Sequence, residues 1–171
     1  MLRRTLIVVA LASLALAGCG PKKPDPALLA ANATAATAFM AKTAQEPGVQ
    51  RLPSGVLYKV VVSGPADGLS PHRQDEVKVH YEGKLISGDI FDSSFERGIP
   101  AVMGLTRLIP AWTEALQKMK PGDEWILYVP PSQGYGETGT PGGPIPPNSA
   151  LIFRIQLIGV LPAAGSTGFG N

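Results

Sequence analysis

The stretch FDSSFERGIP, residues 91–100, sets one carboxylate, Asp92, between a phenylalanine and two serines, with Arg97 five places on. A carboxylate so placed can work as a general acid or base, or stand as half of an ion pair. The partners that acid–base chemistry needs are scarce. There are two histidines, His72 in a polar loop and His80 on the solvent-facing side of a strand pattern. No Cys–His or His–carboxylate cluster has metal-ligand spacing, so no metal is expected. There is no G-x-S-x-G elbow, phosphate loop or dinucleotide fingerprint. The glycine-rich GETGTPGG, residues 136–143, leads into Pro144-Ile145-Pro146-Pro147 rather than into a helix, so it offers no helix N-terminal amides to a phosphate. Hydrolase and nucleotide chemistry have nothing to work with here, and no cofactor is expected.

The chain does offer aromatics. Tyr81, Phe91, Trp112, Tyr135 and Phe153 each sit beside a turn or a strand-end signal. An isolated aromatic of this kind is ordinarily core filler, so their meaning depends on the elements that carry them. GVLYKVVVSG (55–64) is β-branched and ends in a Ser-Gly-Pro turn. EVKVHYEGKL (76–85) alternates, with Val77, Val79 and Tyr81 on one face and Lys78, His80 and Glu82 on the other. EWILYVP (124–130) reads as another strand, and ALIFRIQLIGV (150–160) alternates Phe153, Ile155 and Leu157 against Arg154 and Gln156. IPAWTEALQKM (109–119) is the one convincing helix of this part. Pro110 suits a first turn, Trp112, Leu116 and Met119 share a face, and Lys120-Pro121-Gly122 stops it. Four or more antiparallel strands with a single helix predict an α+β fold, a half-barrel sheet with the helix packed on one face.

Upstream, the first nineteen residues have a basic start, an apolar run from Leu6 to Ala17 and then small residues. The run is short for a permanent span and suits a secretory signal over 1–18. Leu16-Ala17-Gly18-Cys19 resembles the bacterial lipobox, which makes Cys19, the only cysteine, the expected lipidation site. Several acyl chains would anchor the protein stably to a membrane. Gly20 follows where lipoproteins retained in the inner membrane often carry aspartate, which favours the outer membrane of a Gram-negative envelope. GPKKPDP (20–26) reads as a tether, and LLAANATAATAFMAKTAQ (28–45) as a helix of several turns closed by Pro47-Gly48. With few large apolar residues its buried stripe would be thin, so it is expected to be a spacer rather than a dimerisation element. The tail, 161–171, is expected to be flexible.

Charge narrows the partners. Arg3 and Arg4 belong to the signal, and without them the 15 basic residues fall level with the 13 acidic ones. A neutral mature chain has no electrostatic case for nucleic acid. At 171 residues, 44% of them apolar, one ordinary domain with a short appendage is expected.

VHYEG (79–83), FDSS with Arg97 following, IPAWTEAL (109–116), KPGDEWILYVPP (120–131), YGETG (135–139) and IPPNSALIF (145–153) occur in this order and spacing. Together they resemble the FKBP family of peptidyl-prolyl cis–trans isomerases, and within it the secreted bacterial branch of the Mip and FkpA type. The resemblance covers residues 49–160. It implies a bent antiparallel sheet wrapped on one short helix and an apolar pocket floored by Trp112. Tyr81, Phe91, Asp92, Leu108, Ile109, Tyr135 and Phe153 would form the walls. Met103 would stand in place of a phenylalanine, and Ile145 would sit on the adjoining loop. The Ile109 amide and the Tyr135 hydroxyl would each take a ligand carbonyl, while Asp92 would stay ionised against Arg97 and the Tyr81 hydroxyl. The catalytic set so implied is Tyr81, Phe91, Asp92, Trp112, Tyr135 and Phe153. Met103, Leu108, Ile109, Ile145 and Arg97 would bind substrate.

Three departures stand out. The segment from Pro100 to Trp112 is two residues shorter than in the small cytosolic members. Ala101 stands where those carry an aromatic, and Thr140 replaces a histidine in TPGGPIPP. The implied partners are proline-containing unfolded or flexible polypeptides, macrolide inhibitors such as rapamycin, and the membrane through Cys19, with the protein a monomer. A proline-binding module without catalysis is the competing expectation.

Overall fold

The computed structural model describes residues 25–163. The expected signal (1–18), Cys19, most of the expected tether and residues 164–171 lie outside them. The chain opens with a helix, α1 (Pro26–Thr43), started by Asp25, whose side chain accepts from the Ala27 amide at 2.9 Å. Seven strands follow: β1 (Val49–Arg51), β2 (Leu57–Val62), β3 (Glu76–Leu85), β4 (Ile90–Ser93), β5 (Ala101–Gly104), β6 (Glu124–Val129) and β7 (Leu151–Leu161). A single helical turn, α2 (Ser94–Arg97), follows β4, and the helix α3 (Pro110–Leu116) precedes β6.

The strands make one antiparallel sheet in the order β1-β2-β6-β7-β3-β4, with β5 also on β3. β3 is its spine. One side pairs with β7 along its whole length, and the other is shared between β5, over Glu76–Val79, and β4, over Glu82–Lys84. Register shifts at Lys78/Val79 and Gly83/Lys84 on β3, and at Val60/Val62 on β2, mark bulges that bend a sheet. The predicted alternation is observed: Val77, Val79 and Tyr81, and Phe153, Ile155 and Leu157, are all buried.

α3 closes the core. Ala111, Trp112, Ala115 and Leu116 join the buried cluster with Val77, Leu127, Ile155 and Leu157. Each fully buried leucine here contributes about 1.5–3 kcal/mol through area removed from water. The helix is shorter than its sequence pattern. After Leu116 the turn tightens into three-residue bonds, Lys118 to Ala115 and Met119 to Leu116, so Met119 stays buried past the helix end. Ser54 donates to the Glu114 carboxylate and so pins the β1–β2 hairpin to α3.

His80 corrects its sequence reading. It does not face open solvent but stacks on Phe95 at 4.9 Å, with Nδ1 3.1 Å from the Ser94 hydroxyl oxygen. The α2 turn folds back over that face of β3, a tertiary effect that period-2 alternation cannot report.

Candidate functional site

A cavity of about 230 Å³ opens between β3, β4, the segment before α3, α3 itself and the loop after β6. Its lining is Tyr81, Phe91, Asp92, Met103, Arg107, Leu108, Ile109, Trp112, Tyr135 and Phe153. Every wall residue expected from sequence is there. Arg107 was not foreseen; it closes a short 3-10 turn, Leu105–Arg107, and belongs to no motif. Two expected substrate-binding residues are not among the lining: Ile145 is buried in the core cluster, and half-exposed Arg97 reaches the site only through Asp92 and the Tyr81 hydroxyl.

Four rings form the apolar part. Trp112 is edge-on to Tyr81 at 5.3 Å and 82° and to Phe153 at 5.3 Å and 88°; Phe153 is edge-on to Phe91 at 5.7 Å and 84°. Edge-to-face pairs of this kind add about 0.5–1.5 kcal/mol each beyond area burial. They come from β3, β4, α3 and β7, so the core that joins these elements also fixes the rings. The Trp112 Nε1 is buried without a hydrogen-bond partner among the described residues.

Asp92 ends the apolar run. One carboxylate oxygen accepts from the Tyr81 hydroxyl and the other from Arg97, whose second nitrogen reaches the Tyr81 oxygen at 3.0 Å. The two serines after Asp92 explain how Arg97 arrives. Ser93 caps the α2 turn, accepting from the Glu96 amide at 3.2 Å, while buried Ser94 accepts from the Tyr81 amide at 2.7 Å. Gly98, at φ 68°, ends the turn in a conformation that favours glycine. Burial alone would raise the Asp92 carboxyl, but the hydrogen bonds from Tyr81 and Arg97 outweigh it and hold it below the ordinary value. Burial, and then the bond to Asp92, push the Tyr81 hydroxyl up.

Two donors face the same region. Pro110 forces the residue before it to be extended, and Ile109 sits there at φ −59°, ψ 150° as the α3 cap. Its amide donates no hydrogen bond among the described residues. Tyr135 keeps 39% of its surface exposed, and burial followed by the Asp92 charge raises its hydroxyl. The Thr140 departure has a local purpose: its hydroxyl accepts from the Ile145 amide at 2.9 Å and its own amide donates to the Ile145 carbonyl at 2.9 Å, closing the loop on itself. An apolar slot with these two donors at its rim and an ion-paired carboxylate can hold a turned peptide; its lining holds no base–nucleophile pair.

The family model described as FKBP-type peptidyl-prolyl cis-trans isomerase matches residues 68–158, and that for the domain amino terminal to it matches residues 22–60. The chain is 50% identical over 129 residues to peptidyl-prolyl cis-trans isomerase Mip of Coxiella burnetii, covering 75% of this chain and 55% of that protein. It is 43% identical over 125 residues to FkpA of Escherichia coli K12, covering 73% of this chain and 45% of that one. The chain thus spans about half the length of these curated relatives. Among solved structures, Escherichia coli FkpA superposes with a TM-score of 0.74 at 41% identity, over 80% of this chain and 62% of that one. A Pseudomonas syringae peptidyl-prolyl cis-trans isomerase superposes at 0.71 with 37% identity, over 83% of this chain and 99% of that one.

Proposed function

Since the chain belongs to the FKBP-type peptidyl-prolyl cis-trans isomerase family, we propose that it accelerates rotation about X–Pro bonds in unfolded or flexible polypeptides and so assists protein folding in the cell envelope. The observation that carries this reading is the run of four edge-to-face rings, Tyr81–Trp112–Phe153–Phe91, ending on an ion-paired aspartate.

The uncatalysed bond turns over tens to hundreds of seconds, because amide resonance sets a barrier of about 18–20 kcal/mol. Nothing has to be cleaved or protonated to lower it. In the twisted transition state the carbonyl loses polarity and the nitrogen pyramidalises. The proline ring enters the aromatic slot, where little water remains to favour the planar, more polar ground state. The Ile109 amide and the Tyr135 hydroxyl take the flanking peptide carbonyls and hold the chain turned. Binding energy is thereby directed to the twisted form. Each ten-fold gain in rate requires about 1.4 kcal/mol, so a site without a proton-transferring group suffices. Asp92 stays ionised, shaping the wall.

A proline-peptide isomerisation assay on the full chain tests this. Acceleration that a macrolide such as rapamycin suppresses is expected. Binding of the peptide without acceleration would instead leave a non-catalytic proline-binding or chaperone module.

Residues 49–160 form the catalytic unit in this reading, preceded by a signal (1–18) and a lipidated Cys19 with its tether. Among the described residues no helix is long and apolar enough to cross a membrane. A relative from Legionella longbeachae is named outer membrane protein MIP; that name and the lipobox support a lipid anchor on the periplasmic side of the outer membrane, and the short, thinly apolar segment before Val49 supports a monomer. Membrane fractionation of Cys19→Ser checks the anchor: the variant should be released, and retention would overturn it.

A further inference from the structure

Helix α1 does not stand clear of the sheet. Ala36 and Thr43 are 2% and 1% exposed, and the Phe39 ring meets Tyr128 at 6.1 Å. Two side-chain amides cross between this helix and the loop before β7 in opposite directions. Asn32 Nδ2 donates to the Pro147 carbonyl at 2.7 Å, and Asn148 Nδ2 donates to the Leu29 carbonyl at 3.2 Å. Asn148 holds φ 54°, the one positive value among described non-glycine residues, a conformation asparagine tolerates better than most. In that pose its backbone amide also donates to the Gly136 carbonyl at 2.8 Å, beside Tyr135. The Gly139 amide donates to the Tyr135 carbonyl at 3.1 Å, and Thr140 closes on Ile145. A continuous set of hydrogen bonds therefore runs from α1, through Pro147 and Asn148, to the turn that presents Tyr135.

No residue of α1 lines the pocket. We propose that α1 is a positioning element of that pocket: Asn32 and Asn148 clamp the 135–148 loop and thereby hold Tyr135 where a substrate carbonyl meets its hydroxyl. The proposal deepens the isomerase reading and rests on it. The rings of the floor sit on β3, β4, α3 and β7 and are fixed by the core. The 135–148 loop has no helix or strand of its own, so its shape depends on these bonds. Loosening it should weaken substrate holding while leaving the apolar slot intact.

The test uses Asn32→Ala and Asn148→Gly in the full chain, the second keeping the positive φ while deleting the side-chain amide. The loss of one hydrogen bond should raise KM for a proline-containing peptide about two- to ten-fold with kcat little changed. Backbone amide exchange should quicken at Gly136, Gly139 and Thr140 but not in β3 or β7, and Asn32→Gln, which keeps the donor, should recover part of the loss. Unchanged KM in both variants, or exchange that quickens evenly through the sheet, would overturn the positioning role. An unmutated chain without isomerase activity would overturn the isomerase reading instead, and the exchange pattern would still decide whether α1 controls the loop.

Discussion

The rings of Phe91 and Phe153 meet edge to face, 5.7 Å between centroids, over the backbone of Gly83. On β3, Gly83 lies opposite Phe153 on one side and Asp92 on the other. A Cβ at this position would come within 2.6 Å of Phe91 and 2.8 Å of Phe153. The glycine of VHYEG is thus required by close approach rather than by backbone conformation, and the pocket wall exists because that side chain is missing. Gly83→Ala should push both rings aside. Overpacking of this kind costs about 1–3 kcal/mol, and kcat/KM should fall by about ten-fold or more as the slot deforms. Denaturant unfolding and the peptide assay measure the two effects. Full activity in this variant would remove Phe91 and Phe153 from the catalytic set.

The Asp92 group makes a prediction about pH. Its carboxyl is held below the ordinary value, burial being outweighed by Tyr81 and Arg97. Its contribution to stability is therefore present above about pH 3.9 and lost as pH falls through the lower folded value. Tyr81 runs the other way. Its hydroxyl is raised by burial and by Asp92, so its contribution holds below about pH 10 and is lost as pH rises through the higher folded value. Neither group changes charge between about pH 6 and 8, and kcat/KM should be flat there. Asp92→Leu should lower activity modestly and macrolide binding more. A steep pH–rate profile that disappears in Asp92→Leu would return the residue to acid–base duty.

Much of this is legible in the sequence. β3 matched its alternating pattern at both ends, because one face is buried and the other at most half-buried, and Trp112, Leu116 and Met119 proved buried together. The expected wall residues converge because the motifs carrying them fall on elements that share one core. What the sequence concealed was short or long-range. β1, β4 and β5 hold three or four residues each, too few for periodicity, and they exist because β2 and β3 offer them hydrogen bonds. FDSS drew attention as chemistry and concealed a strand end plus a cap. Arg107 had no motif, and the docking of α1 through two asparagines left no mark in its apolar pattern.

Tyr135 separates holding from chemistry. Its hydroxyl makes no hydrogen bond among the described residues, although its ring lines the pocket. Tyr135→Phe should therefore leave the unfolding midpoint almost unchanged. Losing one substrate hydrogen bond should raise KM by about two- to ten-fold, with kcat less affected. Steady-state kinetics beside a thermal melt would distinguish this from a structural hydroxyl, whose removal would lower the midpoint as well.

Trp112 gives the sharpest test of the floor. It is 4% exposed, touches Tyr81 and Phe153 edge-on, and buries an indole nitrogen without a partner among the described residues. Trp112→Phe removes apolar area, which destabilises, and also removes a buried unpaired donor, whose cost is about 1–3 kcal/mol. The two effects oppose, so net stability should change by no more than about 1 kcal/mol, while Trp112→Ala should lose about 3–5 kcal/mol. Activity should not follow stability. The phenyl ring cannot span the floor between Tyr81 and Phe153, so kcat/KM should drop several-fold in a variant that is nearly as stable as the parent. Equal losses of stability and activity in Trp112→Phe would mean that the indole supports the fold without shaping the reaction.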